Sequence, residues 1–99
     1  MVAELLNKYF WLIQTISRAG QGGITLEEIQ KLWKGRWGEK YSRRSFNNHR
    51  EAIDINFGVR IGCNRSTYRY YIDEAGSAAD GEGLRWMMES VTVKSLAEL

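Results

Sequence analysis

The stretch YSRRSFNNHREAI at residues 41–53 decides how this sequence is interpreted, because it combines the marks of a docked helix with an excess of polar donors. Ser42 is a favoured N-cap, since its hydroxyl can accept a hydrogen bond from a backbone N–H of the first turn. Phe46, Ile53 and Phe57 recur at intervals of seven and four residues, which places them on one stripe of a helix. The spacing therefore predicts a helix that begins after Ser42, ends near Phe57 and docks through this stripe.

Long polar side chains crowd the first two turns of the predicted helix. Two adjacent arginines, Arg43 and Arg44, are followed by two adjacent asparagines, Asn47 and Asn48. Asparagine is a poor residue for a helix interior, so stability alone does not explain the pair. Arg can bind guanine and Asn can bind adenine through two hydrogen bonds in the major groove of DNA. The pattern predicts that these four residues read base edges of a DNA duplex.

The residues around these four have weaker assignments. Ser42, Ser45 and the free backbone N–H groups of the first turn are suited to holding a phosphate, helped by the helix dipole. His49 either contacts DNA or packs on the apolar stripe, and with no partner histidine it has no metal site. Arg50 falls on the stripe itself and either lies along the core with its head in water or faces the DNA.

Two amphipathic segments precede this helix. Apolar residues between positions 5 and 19 recur every three or four residues, which predicts a first helix ended by the glycines that follow. Thr25 and Glu28 have capping-box spacing, which predicts a second helix that ends around Lys34. Trp37 is then expected in a loop, as a lid on the core. The expected apolar face of the second helix consists of Leu26, Ile29, Leu32 and Trp33.

A change of periodicity after residue 58 predicts a two-stranded hairpin. VRIGC (59–63) and YRYYI (68–72) are rich in β-branched and aromatic residues, and the turn-forming NRST (64–67) separates them. Cys63 is interpreted as a half-buried strand residue. The basic residues expected on this hairpin are Arg60, Arg65 and Arg69.

The order of three helices and a hairpin predicts an α+β, mainly helical fold of the winged helix-turn-helix type. In that architecture the second helix of the motif enters the major groove and the hairpin is a wing that contacts the adjacent DNA backbone. Residues 1–73 are predicted to form this domain. Residues 74–99 are predicted to be an acidic, glycine-rich linker followed by an apolar helical connector.

The distribution of charge supports a polyanionic partner. The net charge of the chain is +2, but residues 31–50 contain seven basic residues against a single acidic one, Glu39. Positive charge concentrated in this way attracts nucleic acid even when the whole protein is nearly neutral. Lys40 and the hairpin arginines are therefore predicted to contact phosphates, and binding is predicted to weaken as salt rises.

Other classes of function find less support in the residues. One histidine, one cysteine and no glycine-rich phosphate loop argue against an enzyme, and no cofactor or metal is expected. One cysteine cannot form an internal disulfide, and no apolar run approaches the length of a membrane span, so a cytoplasmic protein is expected. The alternative is a winged helix that binds another protein through exposed aromatic residues. Its candidate residues are Tyr68, Tyr70 and Tyr71.

Five blocks of the sequence resemble a known family: KYFWLIQTI, ITLEEIQKLW, YSRRSFNNHREAI, NFGVRIGC and YRYYI. They look like the N-terminal domain of bacterial WYL-domain transcriptional regulators, especially those of Bacteroidetes, which are similar to DeoR-type repressors. The family pattern Ser-x-Arg-Thr-hydrophobic, at the start of the recognition helix, is matched by Ser42, Arg44, Ser45 and Phe46, with Ser45 in place of Thr. The resemblance covers about residues 8–72.

The resemblance implies a cytoplasmic, nucleoid-associated transcriptional regulator that binds paired half-sites as a homodimer. LRWMMESVTVKSL, within residues 84–99, resembles the connector toward the family's ligand-sensing WYL domain. We therefore expect this chain to be the DNA-binding module of a longer regulator. An effector ligand would act only through the downstream domain, which these residues do not contain.

Overall fold

A computed structural model of the protein describes residues 2–77, so the connector predicted for residues 84–99 lies outside the described residues. Within this range the chain is α+β and mainly helical, with three helices and a three-stranded antiparallel sheet of strand order β1-β3-β2. This layout is compatible with a winged helix. The elements in chain order are α1 (Val2–Arg18), β1 (Ile24–Thr25), α2 (Leu26–Trp37), α3 (Arg43–Phe57), β2 (Arg60–Asn64) and β3 (Arg69–Asp73).

The predicted two-stranded hairpin is extended by a third strand, which the sequence pattern did not indicate. Strand β1 is two residues long and pairs with β3, with Ile24 opposite Tyr70 and Thr25 opposite Arg69. Such a short strand has no alternation to detect. Gly23 makes the pairing possible: its φ is +79°, and a Cβ there would lie 2.7 Å from the Tyr70 carbonyl oxygen.

The core lies between the helices and the inner face of the sheet. Helix α3 docks as predicted, since Phe46 and Ile53 are both fully buried. Leu32 was wrongly predicted to belong to the apolar face of α2, because it is 49% exposed. At about 100° per residue it lies roughly a quarter-turn off the stripe that the rest of that face forms. The other core residues are Leu12, Ile13, Ile16, Ile24, Leu26, Ile29, Trp33, Tyr41, Val59, Ile61, Tyr70 and Ile72.

Helix α2 continues one turn past the predicted end. Gly35 is accommodated inside the helix, and Gly38 ends it in the left-handed conformation, with its N–H donating to the Lys34 carbonyl at 2.9 Å. Trp37 is therefore the last helical residue and not part of a loop. Its half-buried ring packs on Trp33, with centroids 5.9 Å apart, so it does cover the core.

Candidate nucleic-acid interface

The first turn of α3 is capped by the Ser42 side chain. The Ser42 hydroxyl accepts a hydrogen bond from the Ser45 N–H at 3.0 Å and donates one to the Ser45 hydroxyl at 3.0 Å. The first bond within the helix runs from the Phe46 N–H to the Ser42 carbonyl, at 3.0 Å. The N–H groups of Arg43 and Arg44 precede it, so they have no acceptor within the helix and point toward the space beyond its N-terminus.

Four polar side chains emerge together from the start of this helix. Arg43 and Asn47 form one row and Arg44 and Asn48 a second, each with a spacing of four residues, and all four are exposed. We call these four residues the α3 polar face. The anchor Phe46 is fully buried on the opposite side. The structure thus brings together the four residues that the sequence predicted to read bases.

The turn of the hairpin, residues 65–68, ends at Tyr68, which shares a surface with Arg43 of the α3 polar face. Asn64 organises this turn, because its side-chain oxygen accepts from the N–H groups of Ser66 at 2.9 Å and Thr67 at 3.3 Å. Tyr68 closes the turn at φ +56° with its side chain 72% exposed. Arg43 and Tyr68 line one shallow depression of about 270 Å³ beside the start of α2. Arg65, the first residue of the turn, is exposed.

Arg60 lies at the opposite end of the hairpin from Arg65 and Arg69, since it pairs with Asp73 while Arg69 pairs with Asn64, the residue before Arg65. Arg60 begins β2 beside the second half of α3, with its Nε 4.0 Å from an Asp54 carboxylate oxygen. Arg69 is on the outer face of the sheet, where its guanidinium donates to the Gly23 carbonyl at 3.3 Å. The sequence had grouped Arg60 with the other two because all three are basic hairpin residues.

The outer face of the sheet also carries Tyr71, which is paired across the strands with Gly62. The Tyr71 ring lies directly over the glycine: a Cβ on Gly62 would lie 2.7 Å from the ring carbon that bears the hydroxyl. Tyr70, the neighbour of Tyr71, points inward and packs on Phe46 with ring centroids 4.7 Å apart. The three tyrosines of an expected protein-binding surface therefore occupy three different environments.

A groove of about 540 Å³ separates the second half of α3 from β2. Asn47 lines this groove, and two acidic residues, Glu51 and Asp54, line it further along the same helix. Sequence reasoning missed these two carboxylates as part of the surface, although their spacing from Asn47 places them on one side of α3. The exposed surface of α3 thus changes from basic and amide groups to acidic groups along the helix axis.

His49 occupies the packing position that the sequence left as one of two alternatives. Its half-buried ring lies against Tyr9, Trp33 and Tyr41, with centroid distances of 5.4, 5.8 and 5.5 Å. Burial, followed by the charge of Lys8, lowers the pKa of His49. The Tyr41 hydroxyl lies 2.6 Å from His49 Nδ1. Burial also raises the pKa of Tyr41, so we assign the phenol as the donor and Nδ1 as the acceptor.

Lys40 and Glu39 lie in the exposed connection between α2 and α3. Glu39, the one acidic residue of the basic segment, is held against α1 by Lys8 at 2.7 Å. This hydrogen bond lowers the pKa of Glu39 and raises the pKa of Lys8. The Glu39 carboxylate is therefore paired with a lysine outside the basic segment. Lys40 lies two residues before Ser42, the N-cap of α3.

Comparisons with known proteins do not assign this site. No family model, curated protein or solved structure matches the sequence. In the part of the chain that the structure describes, no helix is long and apolar enough to cross a membrane. Among those same residues no group of three or more His, Cys, Asp or Glu side chains is placed to hold a metal ion.

Proposed function

We propose that this domain binds double-stranded DNA in a sequence-specific manner, as the winged helix-turn-helix module of a transcriptional regulator. The observation that carries the proposal is the α3 polar face, which is exposed at a helix N-terminus and reaches the hairpin turn where Arg43 and Tyr68 line one depression. Helix α2, a short turn and α3 follow one another in the order of the helix-turn-helix motif. Helix α3 is then the recognition helix.

In this mechanism α3 enters the major groove with its N-terminus leading. Asn47 and Asn48 hydrogen-bond adenine edges, and an arginine of the same face binds guanine through its two parallel donors. Glu51 and Asp54 oppose a pose in which the second half of the helix lies closest to the phosphates, since carboxylates repel them. The change of charge along α3 therefore selects the direction of approach.

Phosphate contacts position the helix in the groove. The free first-turn N–H groups of α3 and the exposed Lys40 bind one strand, and Arg65 at the hairpin turn binds the backbone beside it. Arg60 and Arg69 are both exposed and remain proposed phosphate contacts, with Asp54 and the Gly23 carbonyl as their neighbours in the free protein. Each phosphate contact steepens the salt dependence by about 0.9 log units of affinity per log unit of salt.

The test is to select bound fragments from genomic DNA and then titrate the selected duplex and a scrambled duplex at two salt concentrations. Sequence-specific recognition predicts that the selected duplex binds more than about a thousandfold tighter than the scrambled one. A homodimer, also proposed here, predicts two half-sites related by symmetry and spaced by about one turn of DNA.

A protein-binding winged helix is the second candidate, favoured by the exposed side chains of Tyr68 and Ile55, which are 72% and 74% accessible. The same titration separates the two candidates. If the protein shows no salt-dependent binding to any duplex, the DNA-binding proposal is wrong and the second candidate is preferred.

A further inference from the structure

Arg50 has a bonding pattern that the DNA-binding pose does not use. It lies in the third turn of α3 and is half-buried. Its Nε and one terminal nitrogen both donate to the Ile61 carbonyl of β2, at 3.1 and 2.7 Å. The guanidinium carbon also lies 5.0 Å from the centre of the Tyr70 ring, on β3. One side chain of the recognition helix therefore contacts both strands of the hairpin.

This contact restrains the hairpin more tightly than a single hydrogen bond would. Two donors of one rigid, planar group converge on one oxygen, so they limit both the distance and the rotation between α3 and β2. Strand β2 is at an edge of the described sheet, with β3 on one side only. Arg50 thus ties α3 to a strand that has no strand neighbour on that side.

We propose that Arg50 is a positioning residue for DNA recognition, which holds the hairpin turn at a set distance from the α3 polar face. Asn47 lies one helical turn before Arg50 and lines the same groove, so fixing Arg50 on Ile61 also fixes the rotation at which α3 presents Asn47. The inference rests on the proposed function, because the distance matters only if one ligand meets both surfaces. A shift of about 1 Å is enough to spoil such convergent geometry.

The contact itself can be tested on the unmodified chain. Nuclear magnetic resonance detects the scalar coupling that a hydrogen bond transmits from a side-chain nitrogen to a carbonyl carbon, and we expect it between Arg50 Nε and the Ile61 carbonyl. Two results would overturn the proposal. One is an Arg50 Nε–H that exchanges rapidly with water. The other is an Nε–H that exchanges slowly but shows no coupling to the Ile61 carbonyl. The measurement needs no variant and does not depend on DNA binding.

Arg50→Lys tests the consequence, with Arg18→Lys at the exposed end of α1 as the matched control. Lysine retains the charge but replaces the planar fork by a single flexible ammonium group. We expect roughly tenfold faster amide exchange in β2 and β3 for the Arg50 variant, and no change for the control. Unchanged exchange in both strands would show that Arg50 does not restrain the hairpin.

On DNA, Arg50→Lys should lower affinity for the selected duplex roughly tenfold, leaving scrambled-duplex affinity and the salt dependence unchanged. Equal losses on both duplexes with a shallower salt dependence would instead make Arg50 a direct phosphate contact and overturn the proposal. If the unmodified protein binds no duplex, the proposed function fails and the recognition role fails with it. The coupling and exchange measurements would still show whether Arg50 restrains the hairpin.

Discussion

Helices α2 and α3 share the same terminal design. Each begins at a hydroxyl residue whose oxygen accepts from the third N–H of the helix, at 3.2 Å for Thr25 and 3.0 Å for Ser42. Each ends at a left-handed glycine, Gly38 or Gly58, whose N–H donates to the carbonyl four residues earlier. The ends of the two helices are thus stabilised by the same hydrogen bonds.

Their first turns have opposite charges. Helix α2 has Glu27 and Glu28 in its first turn, where they interact favourably with the positive N-terminal end of the helix dipole. Helix α3 has no acidic residue in its first turn and places Arg43 and Arg44 there. Two arginines at this end oppose the dipole, so α2 has the arrangement that favours stability. This contrast is what the proposed DNA-binding function predicts, since an anion outside the protein would interact favourably with the first turn of α3.

The largest expected effect comes from giving α3 the charges of α2. Arg43→Glu with Arg44→Glu should reduce DNA affinity by more than about a hundredfold, because phosphate contacts are lost and repulsion replaces them. The same variant should be more stable toward urea by about 0.5–2 kcal/mol, because the carboxylates favour the helix N-terminus. Fluorescence anisotropy and urea unfolding measure the two changes.

The matched control for this variant is Lys31→Glu with Lys34→Glu, which makes the same change of net charge on the exposed side of α2. We expect it to lower DNA affinity by less than about tenfold, through long-range electrostatics alone. Equal losses for the two double variants would mean that net charge, and not the start of α3, determines binding.

A smaller effect should come from the amides of the α3 polar face. Asn47→Ala and Asn48→Ala should each cost about 1–3 kcal/mol of discrimination between the selected and scrambled duplexes, the value of one bidentate base contact. Folding stability should be unchanged or slightly higher, since alanine is the better helix former. Competition binding with both duplexes measures the loss.

Asn56→Ala is the control for the asparagine variants. Asn56 is exposed in the last turn of the same helix, and its amide donates to the Ala52 carbonyl at 2.9 Å. We expect this variant to bind both duplexes as the parent does. If Asn47→Ala and Asn48→Ala also bind like the parent, base readout by the α3 polar face is wrong.

The two caps should have comparable, still smaller effects. Thr25→Ala and Ser42→Ala should each lower the free energy of unfolding by about 1 kcal/mol, because each leaves a helix N–H without its side-chain acceptor. The Thr25 variant should cost slightly more, since the Thr25 hydroxyl donates to the Glu28 carboxylate at 3.0 Å, whereas the Ser42 hydroxyl donates only to the uncharged Ser45 hydroxyl. Urea unfolding checks both values, and a cap that costs nothing would contradict the equivalence of the two helix starts.

The smallest effect concerns pH and the docked side of α3. The pKa of His49 is lowered in the folded state, chiefly by burial, so the folded protein binds fewer protons there than the unfolded chain, whose histidine pKa is about 6.5. The contribution of neutral His49 to the free energy of unfolding is then complete above about pH 6.5. It declines as the pH falls toward the lowered pKa. Urea unfolding at several pH values between neutrality and mild acid measures the decline.

The control for the pH prediction is His49→Asn, which keeps an acceptor for the Tyr41 hydroxyl but does not titrate. His49 is the single histidine of the chain, so the decline should vanish in this variant. A decline of the same size in His49→Asn would assign the pH dependence to other groups facing the ring, of which Glu39 and Lys8 are the charged ones.

Features set by neighbouring residues could be predicted from the sequence. Ser42 as a cap, Gly58 as a helix end and Phe46 with Ile53 as anchors all depend on positions within one helix, and the structure agrees with each. The end of α2 could not be predicted, because Gly35 and Gly38 are both plausible stops. The added turn places Trp37 on Trp33, a contact that a local pattern does not reveal.

The candidate site divides in the same way. The α3 polar face follows from helical spacing, so its exposure on one surface was predictable. The distance of Arg60 from Arg65 and Arg69 was not, because it depends on the register between β2 and β3. The role of Arg50 was also left open, since its acceptor is a backbone carbonyl eleven residues away, and every residue type supplies the same carbonyl.

The ring of Tyr71 over Gly62 has a consequence for how this sequence can evolve. A methyl group at position 62 would meet the far end of the ring and not the backbone, so it would displace the tyrosine without breaking the strand. The residues at positions 62 and 71 are therefore expected to change together. Among diverged descendants of this protein, we expect larger residues to appear at position 62 mainly where position 71 has become smaller.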